Sequence, residues 1–128
     1  MTSVALLGTG TLGSAITRRF LAQGLDVHVW NRDFSRTAPL IDLGAIAITD
    51  LHAATRDCHS IVTVLTTGDV TTEVVAALGP LNGSTVIPMG TMGVTESRKL
   101  AAEVLQKNGK YLEAPVLGSK PQALSGSL

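Results

Sequence analysis

A chain of 128 residues with ten basic and ten acidic side chains has the length of one domain and no net charge. That balance excludes a protein working through a positive field, so neither nucleic acid nor an acidic membrane surface is expected as a partner. The lone cysteine, Cys58, excludes an internal disulfide and suits a reducing, cytoplasmic setting; no apolar run approaches the roughly 20 residues of a membrane-spanning helix.

Residues 4–7, Val-Ala-Leu-Leu, predict a first strand that runs straight into a glycine turn. From 11 to 23 the spacing of Leu12, Ala15, Ile16 and Phe20 predicts an amphipathic helix, with Gly24 where a C-terminal cap glycine belongs. A second strand is predicted over 27–30, ending in Asn31-Arg32. A helix over about 34–43, a third strand over 45–48, a short helix near 50–55 and a fourth strand over 61–65 follow. A helix over 69–78 leads to Gly79-Pro80 and Asn82-Gly83, which punctuate before a fifth strand at 85–87. The longest helix is expected over 95–108, with Leu100, Ala101, Val104 and Leu105 on its apolar face and Gly109 as its stop. Residues 110–113 supply a sixth strand. With two Phe, one Tyr and one Trp, the core has to come from Val, Ile, Leu and Ala, as is common where parallel strands are buried on both faces.

Strands alternating with helices predict an α/β fold: a Rossmann, doubly wound parallel sheet of about six strands with helices on both faces. Residues 1–128 then form one dinucleotide-binding domain. In such sheets ligands lie beyond the carboxyl ends of the strands. Residues 66–68, 88–91 and 115–119 are therefore expected to converge on one rim.

Gly8-Thr9-Gly10-Thr11-Leu12-Gly13 carries the G-x-G-x-x-G spacing between a strand and a helix, the context that gives the motif its meaning. The first glycine permits a tight turn, the second lets backbone approach a pyrophosphate, and the third lets helix and strand pack closely. The diphosphate would rest on the unpaired first amides of the helix. The end of the second strand decides the nucleotide. An acidic residue there would accept from the ribose hydroxyls; here Asn31 is neutral, and Arg32 and Arg36 offer guanidinium charge to a 2′-phosphate. NADP(H) is the expected cofactor and NAD(H) the less favoured one. Asp33 stands one residue too late for the ribose and is expected to cap the next helix. His28, His52 and His59 have no partners at metal-ligand spacing, so no metal site is expected. Cys58 reads as a structural thiol, and Lys120 as a solvated loop residue.

The glycine string, the Trp30-Asn31-Arg32 strand end and Glu113-Ala114-Pro115-Val116-Leu117-Gly118-Ser119 together resemble the β-hydroxyacid dehydrogenase family. That family includes 3-hydroxyisobutyrate dehydrogenase and glyoxylate/succinic semialdehyde reductases. The resemblance runs over nearly the whole chain, the last segment being similar to the family's Asp-Ala-Pro-Val-Ser-Gly-Gly. It implies that Leu65, Thr66, Thr67 and Thr91 border the cofactor with the glycine loop. It also implies that Pro115, Val116, Leu117, Gly118 and Ser119 meet a small-molecule substrate, a 3-hydroxyacid or a semialdehyde. Leu117 stands where the family has a serine, a departure shared with imine-reducing relatives. The family's catalytic lysine and its helical catalytic and dimerisation domain are expected downstream of Leu128. The resemblance thus implies a homo-oligomeric oxidoreductase as parent, no catalytic residue within these 128 residues, and an isolated chain without turnover. The alternatives are an imine-reductase half and a non-catalytic dinucleotide-binding module.

Overall fold

The computed structural model describes residues 3–90 and 92–113. Six strands form one sheet: β1 (Ser3–Leu7), β2 (Asp26–Trp30), β3 (Ile46–Ala47), β4 (Ser60–Thr63), β5 (Thr85–Pro88) and β6 (Lys110–Tyr111). Their order is β3-β2-β1-β4-β5-β6, and every neighbouring pair runs parallel. This is the doubly wound arrangement expected from the sequence, and its strand order reverses between β1 and β4.

The helices are α1 (Thr11–Ala22), α2 (Ala38–Ile41), α3 (Gly68–Ala76) and α4 (Val94–Gln106). Side chains alternate across the pleat, so β1 feeds two separate cores. Val4 and Leu6 join Ala15, Ile16, Val27, Val29 and Leu40 on the α1 face. Ala5 and Leu7 join Ile61, Val75, Val86, Leu100 and Val104 on the α3–α4 face. Burial on both faces explains why β1 reads as an unbroken apolar run instead of an alternating one. Each fully buried Leu, Ile or Val contributes about 1.5–3 kcal/mol relative to exposure.

The structure corrects several expected boundaries. No continuous helix covers 34–43: a 3-10 turn over Phe34–Thr37 precedes the single turn of α2, where Pro39 sits in the first helical turn. A helix begun at 34 would need an amide hydrogen that Pro39 lacks. The short helix near 50–55 is also a 3-10 turn, Leu51–Arg56, started by the Asp50 carboxylate accepting the His52 amide at 3.0 Å. The edge strands β3 and β6 have two residues each, and β4 stops at Thr63, leaving Leu65 beyond it. Leu105 was expected on the buried face of α4 but is 66% exposed. The helix closes through Asn108, which takes the left-handed conformation at φ 61°. Gly109 is needed for space instead, since a Cβ there would run into Leu81 and Val104.

Candidate nucleotide-binding site

Register places the site. Leu7 lies opposite Trp30 on one side and Thr63 on the other, so the residues that follow these three strands leave the sheet side by side. A cleft of about 360 Å³ opens there. Its floor and one wall come from Gly8, Gly10, Trp30, Asn31, Arg32 and Arg36; Val64, Leu65, Thr66, Val70 and Val74 form the opposite wall.

The three glycines have three different reasons to be glycine. Gly8 has φ +109°, donates its amide to the Trp30 carbonyl at 2.8 Å, and lies so close to the Val64 carbonyl that a Cβ would overlap it. Gly13 packs on the turn itself, because a Cβ there would overlap the Gly8 carbonyl oxygen. Gly10 differs from both: a Cβ added to it would meet nothing within 4 Å. Its bare Cα faces the open cleft, so no packing within the protein requires glycine there, and the space is left for the close approach of a ligand. Gly10 is also the N-cap of α1 and provides no side-chain acceptor for the first-turn amides. Those of Thr11, Leu12 and Gly13 are left as donors at the positive end of the helix. The loop therefore fits a diphosphate by both shape and charge.

The loop is held by side chains. The Thr9 amide donates to Asn31 Oδ1 at 3.0 Å, and Asn31 Nδ2 donates to the Asp33 carbonyl at 3.0 Å. The Thr9 hydroxyl, on a residue only 3% exposed, turns away from the cleft and donates to the Arg36 carbonyl at 3.3 Å. Ser14 Oγ donates to the Thr9 carbonyl at 2.8 Å. The glycine turn and the arginine-bearing segment after β2 are thereby tied into one unit.

Two arginines border the cleft, each facing a carboxylate. Arg36 Nε lies 3.8 Å from Asp33 Oδ2. The Ser35 hydroxyl and amide both donate to Asp33, at 2.7 and 3.2 Å, which holds its carboxyl below the usual range and starts the 3-10 turn as the sequence suggested. Arg32 Nη2 lies 3.7 Å from Glu73 Oε2 on α3.

The expected site residues divide as follows. Gly8, Gly10, Asn31, Arg32, Arg36, Leu65 and Thr66 line the cleft, whereas Thr9, Thr11, Leu12, Gly13 and Thr67 are not among its walls. Thr67 caps α3 by accepting the Val70 amide at 3.1 Å. Thr91, Pro115, Val116, Leu117, Gly118 and Ser119 lie outside the described residues. The loops after β4 and β5 do converge, since a Cβ on Gly90 would come 3.3 Å from the Leu65 carbonyl. Sequence reasoning missed Ser14, Glu73, Val70 and Val74. The two valines stand at helical spacing and read as ordinary core, and Glu73 reads as part of a solvated helix face.

Away from the cleft, Cys58 is buried, and desolvation, with smaller contributions from Asp57 and Asp26, pushes its thiol up to about 12. Among the described residues no three His, Cys, Asp or Glu side chains gather as a metal would require, and no helix is long and apolar enough to cross a membrane.

A six-stranded parallel sheet of this order, with a glycine turn and a free helix N-terminus at its switch point, defines a dinucleotide-binding Rossmann domain. Residues 3–128 match the family described as the NAD binding domain of 6-phosphogluconate dehydrogenase, and the chain belongs to that family. It is similar to glyoxylate/succinic semialdehyde reductase 2 of Arabidopsis thaliana, 30% identical over 98% of this chain and 37% of the relative. Among solved structures it is similar to an imine reductase from Pseudomonas sp., with TM-score 0.89, 30% identity, and coverage of 94% of this chain and 43% of that one. A protein called Psf3, solved with NADP+ and 2-OPP, gives TM-score 0.86 and 30% identity over 96% of this chain and 45% of the other. The chain thus carries the pyridine-nucleotide-binding domain found in hydroxyacid dehydrogenase-like reductases, and it spans less than half the length of these relatives.

Proposed function

We propose that this chain is the NADP(H)-binding half of an oxidoreductase that transfers hydride to or from a small 3-hydroxyacid or semialdehyde. The observation that carries the phosphate preference is the state of the β2 end. No acidic residue stands there, the Asn31 oxygen is engaged by the Thr9 amide, and Arg32 and Arg36 supply positive charge at the cleft. A 2′-phosphate is served by that arrangement, whereas a pair of ribose hydroxyls lacks its usual acidic acceptor. A solved relative holding NADP+ at 30% identity supports the same reading. When bound, the nicotinamide supplies the hydride chemistry. This chain contributes the amide cradle, the guanidinium contacts and the orientation of the ring end toward the loops after β4 and β5.

The substrate class follows the reductase relatives, and substrate contacts are assigned to Pro115, Val116, Leu117, Gly118 and Ser119, with Thr91 beside the nicotinamide. The general acid is assigned to a helical domain that follows in the whole protein, so the 128-residue chain by itself binds nucleotide without turning substrate over. The parent enzyme is assigned a homo-oligomeric state and a cytoplasmic setting.

A thermal-shift comparison of NADPH and NADH tests the cofactor assignment. A ligand at about 100 times its Kd stabilises the fold by roughly 2.7 kcal/mol, and NADPH is expected to reach that shift at the lower concentration. No shift with either nucleotide defeats the proposal; equal shifts defeat only the phosphate preference. A second reading, imine reduction, is favoured by Leu117 and by the 30% identity to a solved imine reductase. Assaying the full-length protein against semialdehydes and cyclic imines separates the two.

A further inference from the structure

The cleft mouth is bridged by charge. Arg32 stands at the end of β2 on one side. Glu73 stands on α3 on the other, between Val70 and Val74, which line the opposite wall. Arg32 Nη2 and Glu73 Oε2 are 3.7 Å apart, and the two side chains are 65% and 72% exposed. The contact is therefore a solvent-facing clasp over the opening and contributes little to the stability of the fold. The other arginine pair is built differently. The Asp33 carboxylate beside Arg36 is fixed by two donors from Ser35, whereas Glu73 has no further polar partner among the described residues.

We infer that Glu73 is a specificity-determining residue that acts against the 2′-phosphate and in favour of the unphosphorylated ribose. The inference rests on the reading that this cleft takes a pyridine nucleotide with its ribose end at Arg32. A phosphomonoester carries about −1.5 to −2 charge at pH 7. To reach Arg32 it has to displace the Glu73 carboxylate, or else tolerate a like charge a few ångströms away, where Coulomb interaction is still appreciable at a protein surface. A 2′-hydroxyl meets the opposite situation. It is a donor, and Glu73 offers the acidic acceptor that Asn31 does not. The carboxylate usual at the end of the second strand is thereby replaced from the facing wall. Arg32 and Glu73 together moderate a preference that Arg32 alone would make steep.

The test is calorimetric titration of wild type, Glu73→Gln and the remote control Glu103→Gln with NADPH and NADH at low salt. Glu73→Gln is expected to tighten NADPH about three- to tenfold and to leave NADH unchanged or weaker. The NADPH enhancement should shrink once salt shortens the screening length below the width of the cleft mouth. Three results overturn the inference alone: an unchanged or reduced preference for NADPH in Glu73→Gln, the same gain in Glu103→Gln, or a gain indifferent to salt. A wild-type protein that binds neither nucleotide overturns the cofactor reading and this inference together.

Discussion

Asn31 turns its side-chain oxygen onto the Thr9 amide and its amide nitrogen onto the Asp33 carbonyl, each at 3.0 Å. One side chain at the end of β2 therefore sets both the shape of the glycine turn and the course of the arginine-bearing segment. Asn31→Ala leaves the part-buried Thr9 amide without its partner, a loss of about 1–3 kcal/mol, while the exposed Asp33 carbonyl is met by water. Because the turn serves both nucleotides, NADPH and NADH should weaken together. Urea unfolding and calorimetry on the same protein check both outcomes.

Arg32→Ala should behave in the opposite way. The guanidinium is 65% exposed and its one ion pair is a surface contact, so stability should change by less than about 0.5 kcal/mol. NADPH affinity should fall about tenfold, in line with the loss of a hydrogen bond to a charged group, while NADH stays nearly constant. Equal losses for the two nucleotides would remove Arg32 from the 2′-phosphate site.

Gly10→Ala and Gly13→Ala form a matched pair. Alanine at 10 meets empty space, so the fold should lose no more than about 1 kcal/mol, the range for an altered N-cap. Binding of either nucleotide should collapse, since the methyl enters the diphosphate cradle. Alanine at 13 drives a Cβ into the Gly8 carbonyl and should cost about 2–3 kcal/mol of stability before any ligand is added. Comparing melting temperatures without ligand separates the two effects.

Cys58 gives an alkaline signature. In the folded chain its thiol keeps its proton up to about 12, against an ordinary 9.0 when unfolded. Between those values the unfolded state binds fewer protons, so stability falls as pH rises above about 9. Cys58→Ala should flatten that alkaline decline. The native thiol should also resist alkylation at pH 8, and rapid labelling there would contradict the burial that raises it.

Much of this architecture is legible in the residues because the signals are local. Residues 4–13 give strand, turn and helix start within a residue or two of the observed ends. Gly24 closes α1 with φ +82°, as its position suggests. The misreadings share one cause. Leu105 lies beside Ala101 on the helical wheel, roughly 100° past Val104 and at the edge of the apolar stripe, and how wide a stripe is covered depends on what packs against α4. β3 and β6 are short because an edge strand lasts only as long as its single neighbour pairs with it, and nothing in the Ala45 or Leu112 neighbourhood encodes that. Pro39 did carry a readable signal, an amide hydrogen missing well inside the expected helix.

The amino-acid order by itself determined the sheet, the glycine turn and the charge placed after β2, since each follows from short-range sterics and from the strand–helix alternation. Tertiary structure alone decided that Thr9 faces inward, that Asn31 is a latch, and that Glu73 on α3 reaches Arg32 in the loop after β2. Those are contacts between segments distant in the chain, and their geometry exists only once the sheet's register has brought the strand ends together.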